Sequence, residues 1–202
     1  TVELKTAISI TQKVRKAILE NRIELYFQPI YNMSQNRICY YEALVRIRTR
    51  DGLLLGPEHF ICALESAGDM PLLDHCIFNL AIEHLATYPE LEKIAINISA
   101  QTFKDEHLVD KIQATLRRHN VPAEKITFEL TESASLIDVI ATQDVIADLH
   151  ALGCKFSIDD FGAGFSSFSY LKNLPADFIK LDGSFIKNLH IDAMDRLEIG
   201  RA

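Results

Sequence analysis

The sequence predicts an α/β fold whose largely parallel sheet closes toward a barrel. From residue 57 onward, short apolar strand-like segments alternate with helical ones, the rhythm of β/α units rather than hairpins. The first two strands are joined by a short polar turn. A parallel pair needs a crossover of a dozen or more residues, so this pair is antiparallel. Finally, five strand-like segments end in an acid, an amide or a lysine: Glu42, Asn97, Glu129, Asp159 with Asp160, and Lys180. In β/α barrels the active groups gather where the strands end, at the C-terminal face.

Residues 8–21 carry apolar side chains at Ile10, Val14, Ala17 and Ile18, one face of a helix. Residues 23–30 form a first strand closed by Pro29, 32–36 a polar turn, and 37–46 a second strand. Helices follow over 57–67 and 72–87, then a strand over 93–99. The next helix, 103–119, has its apolar spacing at Leu108, Ile112 and Leu116. The alternation continues with a strand over 125–130, a helix over 136–152 ending at Gly153 as its C-cap, and a strand over 155–159. A short helix over 166–174 and a strand over 178–181 complete it. No linker or low-complexity tract divides the chain, which reads as a helix or linker over 1–22 and a barrel domain over 23–202.

The 202 residues, 48% hydrophobic and 24% charged, suffice for a sizeable core and argue against disorder. The longest apolar run is too short to cross a bilayer, and the first residues show no signal-peptide pattern. A start without Met suggests a domain excised from a longer protein. The net charge of −7 gives no electrostatic footprint for long nucleic acids. Cys39, Cys62, Cys76 and Cys154 lack the spacing of a zinc cluster or disulfide framework, and read as reduced thiols in a cytoplasmic domain. The seven histidines show no ligand-like spacing and are assigned to the surface or to ordinary hydrogen bonding.

An acid that ends an apolar strand is costly to bury unless a cation or donor satisfies it. Taken singly, the candidates have ordinary explanations. Glu42 fits a surface acid on an edge strand, Asn97 a strand-end amide, and Glu129 or Glu132 a cap for a helix beginning near Ser133. Asp159-Asp160-Phe161-Gly162 fits a strand-to-loop turn. Together, Glu42, Asn97, Glu129, Asp159 and Asp160 make a set of hard oxygen donors without His or Cys, which favours Mg²⁺ or Mn²⁺ over zinc. Adjacent Asp159 and Asp160 suit a carboxylate shared by two ions, as in two-metal phosphodiester hydrolysis. Lys180 could then orient or help deprotonate an attacking water, or stabilise developing charge.

These residues fall in motifs that resemble the EAL domain family, cyclic di-GMP phosphodiesterases and their catalytically degenerate receptor relatives. Glu42-Ala43-Leu44, followed by Arg46, matches the motif that names the family. The order then continues with Tyr26-Phe27-Gln28-Pro29-Ile30 upstream, and with Asn97-Ile98-Ser99, Glu129-Leu130-Thr131-Glu132, Asp159 to Ser167 and Lys180-Leu181-Asp182 downstream. The resemblance implies a modified (β/α)8 TIM-type barrel with one antiparallel strand. It implies that Glu42, Asn97, Glu129 and Asp159 bind one metal, that Asp159 and Asp160 bind a second, and that Lys180 contacts the water nucleophile. Gln28, Leu44 and Arg46 would lie along the dinucleotide, with the planar Arg46 guanidinium on a phosphate.

Further expectations follow from the same likeness. The loop that begins at Asp160, Phe161 and Gly162 would gate the site and link it to homodimer contacts. An upstream sensory or diguanylate cyclase domain is common among such relatives. Ala163 and Gly183 stand where the family often has Thr and Arg. Family members continue through two further β/α units, carrying another glutamate at the metal site and a glutamine near the substrate. This chain stops at Ala202, so its barrel is expected to be incomplete and the native protein longer. The expected activity is hydrolysis of cyclic di-GMP to linear pGpG with two Mg²⁺ or Mn²⁺ ions. The alternative is an inactive cyclic di-GMP receptor or protein-interaction module.

Overall fold

The computed structural model describes residues 2–131, 139–162 and 175–187. Glu132, the helix expected over 166–174, the first residues of the one expected over 136–152, and the gating-loop residues beyond Gly162 lie outside the described residues. Among the described residues no helix is long and apolar enough to cross a membrane.

Helix α1 (Val2–Leu19) begins earlier than the apolar spacing suggests, since Glu, Leu, Lys and Ala are all good helix formers. It stops at Leu19 because Asn21 turns left-handed at φ 53°, and the Arg22 amide bonds back to Ala17 O at 2.9 Å. Val14 and Ala17 are buried on its inner face. Strand β1 (Ile23–Asn32) pairs antiparallel with β2 (Arg37–Arg48), as the short turn requires. It does not close at Pro29, because β1 lies at the end of the strand order, where a missing N–H breaks no inner ladder. The turn is built by Asn32, whose Oδ1 accepts from the Gln35 amide at 2.8 Å, and by left-handed Asn36.

After β3 (Leu54–Leu55), which pairs with β2, the helix expected over 57–67 splits into a 3-10 turn (Pro57–His59) and α2 (Ile61–Ala67). The break is Phe60, in a non-helical conformation with its side chain buried in the core. Next come α3 (Met70–Thr87) and β4 (Ile94–Asn97). The helix expected over 103–119 is two helices, α4 (Ala100–Phe103) and α5 (Leu108–His119). Asp105 diverts the chain between them by accepting the His107 amide at 3.0 Å, a local bond that competes with helix. Then follow β5 (Ile126–Thr131), α6 (Val139–Leu152), β6 (Lys155–Phe161), β7 (Phe178–Leu181) and α7 (Gly183–Lys187). Gly153 ends α6 at φ 104°, as expected of a C-cap.

The strand order is β1-β2-β4-β5-β6-β7, parallel from β2 onward. Side chains alternate between the sheet's two faces. Ile94 and Ile96, Ile126, Phe128 and Leu130, and Phe156 and Ile158 point toward the helices and join Leu73, Ile77, Phe78, Ile112, Leu116, Ile146 and Leu149 in one core. The alternate positions Asn97, Glu129, Ser157, Asp159 and Lys180 share the other face toward the strands' C-terminal ends, and Glu42 joins them from the middle of β2, which runs on to Arg48. The β/α rhythm thus gathers the polar set on one face, but Glu42 does not end its strand as expected, because β2 stays paired with β1 on to Ile47 opposite Ile23.

Candidate active site

Register places the site before any contact is considered. Asn97 pairs with Glu129 across β4 and β5, Glu129 with Ser157 across β5 and β6, and Gln28 with Glu42 across β1 and β2. Between β6 and β7 the register slips by one residue, from Ile158 opposite Ile179 to Phe161 opposite Leu181. The extra residue is a bulge at Asp159-Asp160, a device that re-aims side chains and is rare between parallel strands. Asp160 adopts φ 53°, a left-handed conformation that Asp tolerates better than most residues, and its amide donates to Asp159 Oδ1 at 2.9 Å. The bulge points Asp159 into the cluster and leaves Asp160 exposed beside it.

At the centre lies the Lys180 ammonium. Its Nζ donates to Glu129 Oε2 at 2.7 Å, Glu42 Oε2 at 3.0 Å and Asp159 Oδ2 at 3.0 Å. Asn97 Nδ2 donates to Glu42 Oε1 at 3.1 Å. Glu42, Asn97, Glu129, Asp159 and Lys180, from five strands, therefore form one connected group. One carboxylate oxygen from each of Glu42, Glu129 and Asp159 lies within 4.8 Å of the other two. The second Glu129 oxygen, Oε1, is buried without a hydrogen-bond partner. A buried orphan acceptor among three converging carboxylates is what a site for a hard divalent cation provides, and the residues present fit such an ion.

The electrostatics agree. Burial, joined by the charges of Glu42 and Asp159, outweighs the Lys180 contact and pushes Glu129 up to about 7. Burial opposes the Lys180 charge, but hydrogen bonds to Glu129, Asp159 and Glu42 raise its pKa and keep it an ammonium. Burial, and then the charges of Asp159 and Asp182, raise Asp160. Half-buried Tyr40 is pushed up to about 12 by burial and the Glu129 charge. All four directions describe a strongly acidic pocket around one cation.

A cleft of about 530 Å³ opens beside the cluster. Leu44, Arg46, Asn97 and Glu129 line it together with Asp74, Ser99 and Gln101. Arg46 bonds the neighbouring Val45 carbonyl at 2.7 Å and sits 5.9 Å over the Tyr26 ring. Gln28 is exposed on β1 opposite Glu42. Phe161 is buried in the core, and its carbonyl accepts from the Asp182 amide at 3.1 Å, while Gly162 takes φ 91° to begin the loop.

Sequence reasoning missed three polar groups here. Asp74 stands at a position on α3 where the spacing calls for an apolar residue, four after Met70 and four before Phe78, and that misfit was legible. Ser157 carried no such signal, and Ser99, though within the Asn97-Ile98-Ser99 motif, was assigned no role; Ser157 matters for Glu129 beside it on β5 and Ser99 for Asp74 on α3.

The chain is similar to known proteins over most of its length. A model of the EAL domain matches residues 11–197. The cyclic di-GMP phosphodiesterase PdeB of Shewanella oneidensis is 34% identical over 187 residues, 91% of this chain and 22% of that protein. The cyclic di-GMP phosphodiesterase PdeF of Escherichia coli is 32% identical over 198 residues, 96% of this chain and 26% of that protein. The chain thus spans about a quarter of the length of these curated relatives. Among solved structures, the PaMucR phosphodiesterase in complex with c-di-GMP superposes with a TM-score of 0.85 at 30% identity, covering 95% of this chain and 79% of the other. By its motifs, its strand order and these matches, the chain belongs to the EAL domain family.

Proposed function

We propose that the chain is a cyclic di-GMP phosphodiesterase domain that opens the cyclic dinucleotide to linear pGpG in bacterial second-messenger signalling. The observation that carries this is the convergence of Glu42, Glu129 and Asp159 on one point, with Asn97 bonded to Glu42, beside a cleft large enough for a nucleotide and with Glu129 Oε1 buried and unpartnered. Glu42, Asn97, Glu129 and Asp159 would hold one Mg²⁺ or Mn²⁺, and Asp159 with Asp160 would hold a second. Such ions supply a water of lowered pKa and neutralise charge on the phosphoryl oxygens.

The protein's own groups do the rest. In the metal-free molecule the surrounding acids hold Lys180 as an ammonium, and with the ions bound it would contact the attacking water and offset negative charge. Arg46 leaves Val45 O to hold a phosphate, Leu44 packs against a base, and Gln28 reaches the dinucleotide from β1. Asn97 keeps Glu42 oriented through its amide. The domain acts in the cytoplasm, as a homodimer and downstream of a sensory or diguanylate cyclase domain. Residues 1–22 serve as the incoming helix and 23–202 as the barrel domain.

The decisive experiment incubates the chain with cyclic di-GMP and Mg²⁺ or Mn²⁺ and follows pGpG by chromatography beside Glu42→Ala. Product from the wild type alone supports the enzyme. Binding without product makes the chain a receptor or a truncated enzyme, and neither binding nor product overturns both readings.

A further inference from the structure

We propose that Asp74 is a positioning residue that fixes the direction of the Asn97 amide from behind, through Ser99 and Thr102; this rests on the reading of Asn97 as part of the cation site. Asp74 is 6% exposed, on the apolar stripe of α3 between Leu73, Ile77 and Phe78. A carboxylate in such a place has to be satisfied by donors. All three donors come from one short segment. Asp74 Oδ2 accepts from the Ser99 amide at 2.9 Å, the Ser99 hydroxyl at 2.6 Å and the Thr102 hydroxyl at 2.5 Å.

That segment is the turn in which β4 ends and α4 begins, and Asn97 is the last residue of β4. On its other side the Ile98 amide donates to Glu129 O at 2.9 Å. The peptide units just after Asn97 are therefore held from two directions, by Glu129 of β5 and by Asp74 of α3. With the backbone fixed, the short Asn97 side chain has few rotamers left, and the one it takes donates to Glu42 Oε1. An ordinary cap does not require this arrangement. Ser99 already caps α4 by accepting the Thr102 amide at 3.3 Å, so a buried carboxyl group from another helix is additional to capping. Asp74 also lines the cleft with Ser99 and Gln101, so the group that holds Asn97 shapes the cleft wall as well.

The test uses Asp74→Ala and Asp74→Asn in the full chain, each alone and combined with Asn97→Ala, with thermal unfolding to confirm folding. In the metal-free protein the Asn97 side-chain amide signals are read by ¹⁵N–¹H spectroscopy and assigned by their loss in Asn97→Ala. Asp74→Ala is expected to move or broaden them. Asp74→Asn, which retains an acceptor oxygen, is expected to leave them near the wild-type position. By calorimetry, Asp74→Ala weakens Mn²⁺ binding about tenfold, the usual size for a group supporting a ligand. In the Asn97→Ala background the same change has no further effect, because its route is gone.

Unmoved amide signals overturn the proposal, as does an equal loss of affinity in both backgrounds. If Asp74→Ala does not fold, Ser99→Ala, which removes the 2.6 Å contact, decides by the same two readouts. If the wild type binds no Mn²⁺, the metal reading falls alone, and the amide signals still decide whether Asp74 directs Asn97.

Discussion

The Lys180 ammonium lies 2.7 Å from Oε2 of Glu129, whose side chain has no solvent exposure. The same ammonium bonds Glu42 and Asp159, so a single cation offsets three acids in the metal-free molecule. Deleting one partner of a buried ionic group leaves the others uncompensated, which typically costs about 3–5 kcal/mol. Lys180→Met is therefore expected to lower metal-free stability by about the lower end of that range, since Glu129 can take up a proton instead. Mn²⁺ is expected to restore more stability to the variant than it adds to the wild type. Denaturant midpoints with and without Mn²⁺ check this, and an equal metal effect on both proteins contradicts it.

Glu129 gives the metal-free fold a pH dependence whose sign follows from its environment. Its folded-state value, about 7, lies above its ordinary value of 4.5. Between those values the unfolded chain has released the proton and the folded chain still holds it, so stability falls as pH rises from about 4.5 to 7 and is then level. The shift corresponds to a loss on the order of 3 kcal/mol. Urea midpoints measured from pH 4.5 to 8 without metal are expected to show this fall in the wild type and a smaller one in Glu129→Gln. The same proton has to leave before a cation can bind, so Mn²⁺ affinity is expected to weaken below pH 7.

Much of this site was legible in the sequence because strand ends are easy to recognise. Asn97, Glu129, Asp159 and Lys180 each follow an apolar run, and the β/α rhythm places such ends together, whereas Glu42 lies in the middle of β2 and stood out by its motif. Register is not written in local pattern, so the bulge that separates Asp159 from Asp160 was invisible, as was the pairing of Ser157 with Glu129. The split of residues 57–67 at Phe60 and of 103–119 at Asp105 escaped for a related reason. In each case one residue prefers its own contact, a core cavity or an Asx turn, over continuing the helix. Pro29 misled because its meaning depends on whether the strand lies at an edge, which is a property of the sheet.

The left-handed backbone at Asp160 separates a structural role from a functional one. Glycine takes φ 53° without the steric cost that an L-side chain meets there, so Asp160→Gly is expected to keep or raise stability, by up to about 1 kcal/mol. It also removes a carboxylate proposed for the second ion. Loss of pGpG formation at unchanged or higher stability assigns Asp160 to the chemistry. Full activity in Asp160→Gly removes it from the ligand set and leaves it as a turn residue.

Phe128 and Glu129 are neighbours in β5 that face opposite ways, and they isolate core from site. Phe128 is 1% exposed and stacks on Phe78 at 5.9 Å between ring centroids, so Phe128→Ala is expected to cost about 3–5 kcal/mol from lost burial and the cavity left behind. Because its side chain points away from the acids, Mn²⁺ affinity at a temperature where the variant is folded is expected to stay near the wild-type value. Glu129→Gln is expected to do the reverse at pH 8. Removing a buried charge that Lys180 alone satisfies, against the repulsion of Glu42 and Asp159, changes stability little or raises it, while Mn²⁺ affinity falls at least about tenfold. Melting curves and calorimetric titrations on the two variants check both halves. Parallel losses in both properties for both variants contradict the division of β5 into a core face and a site face.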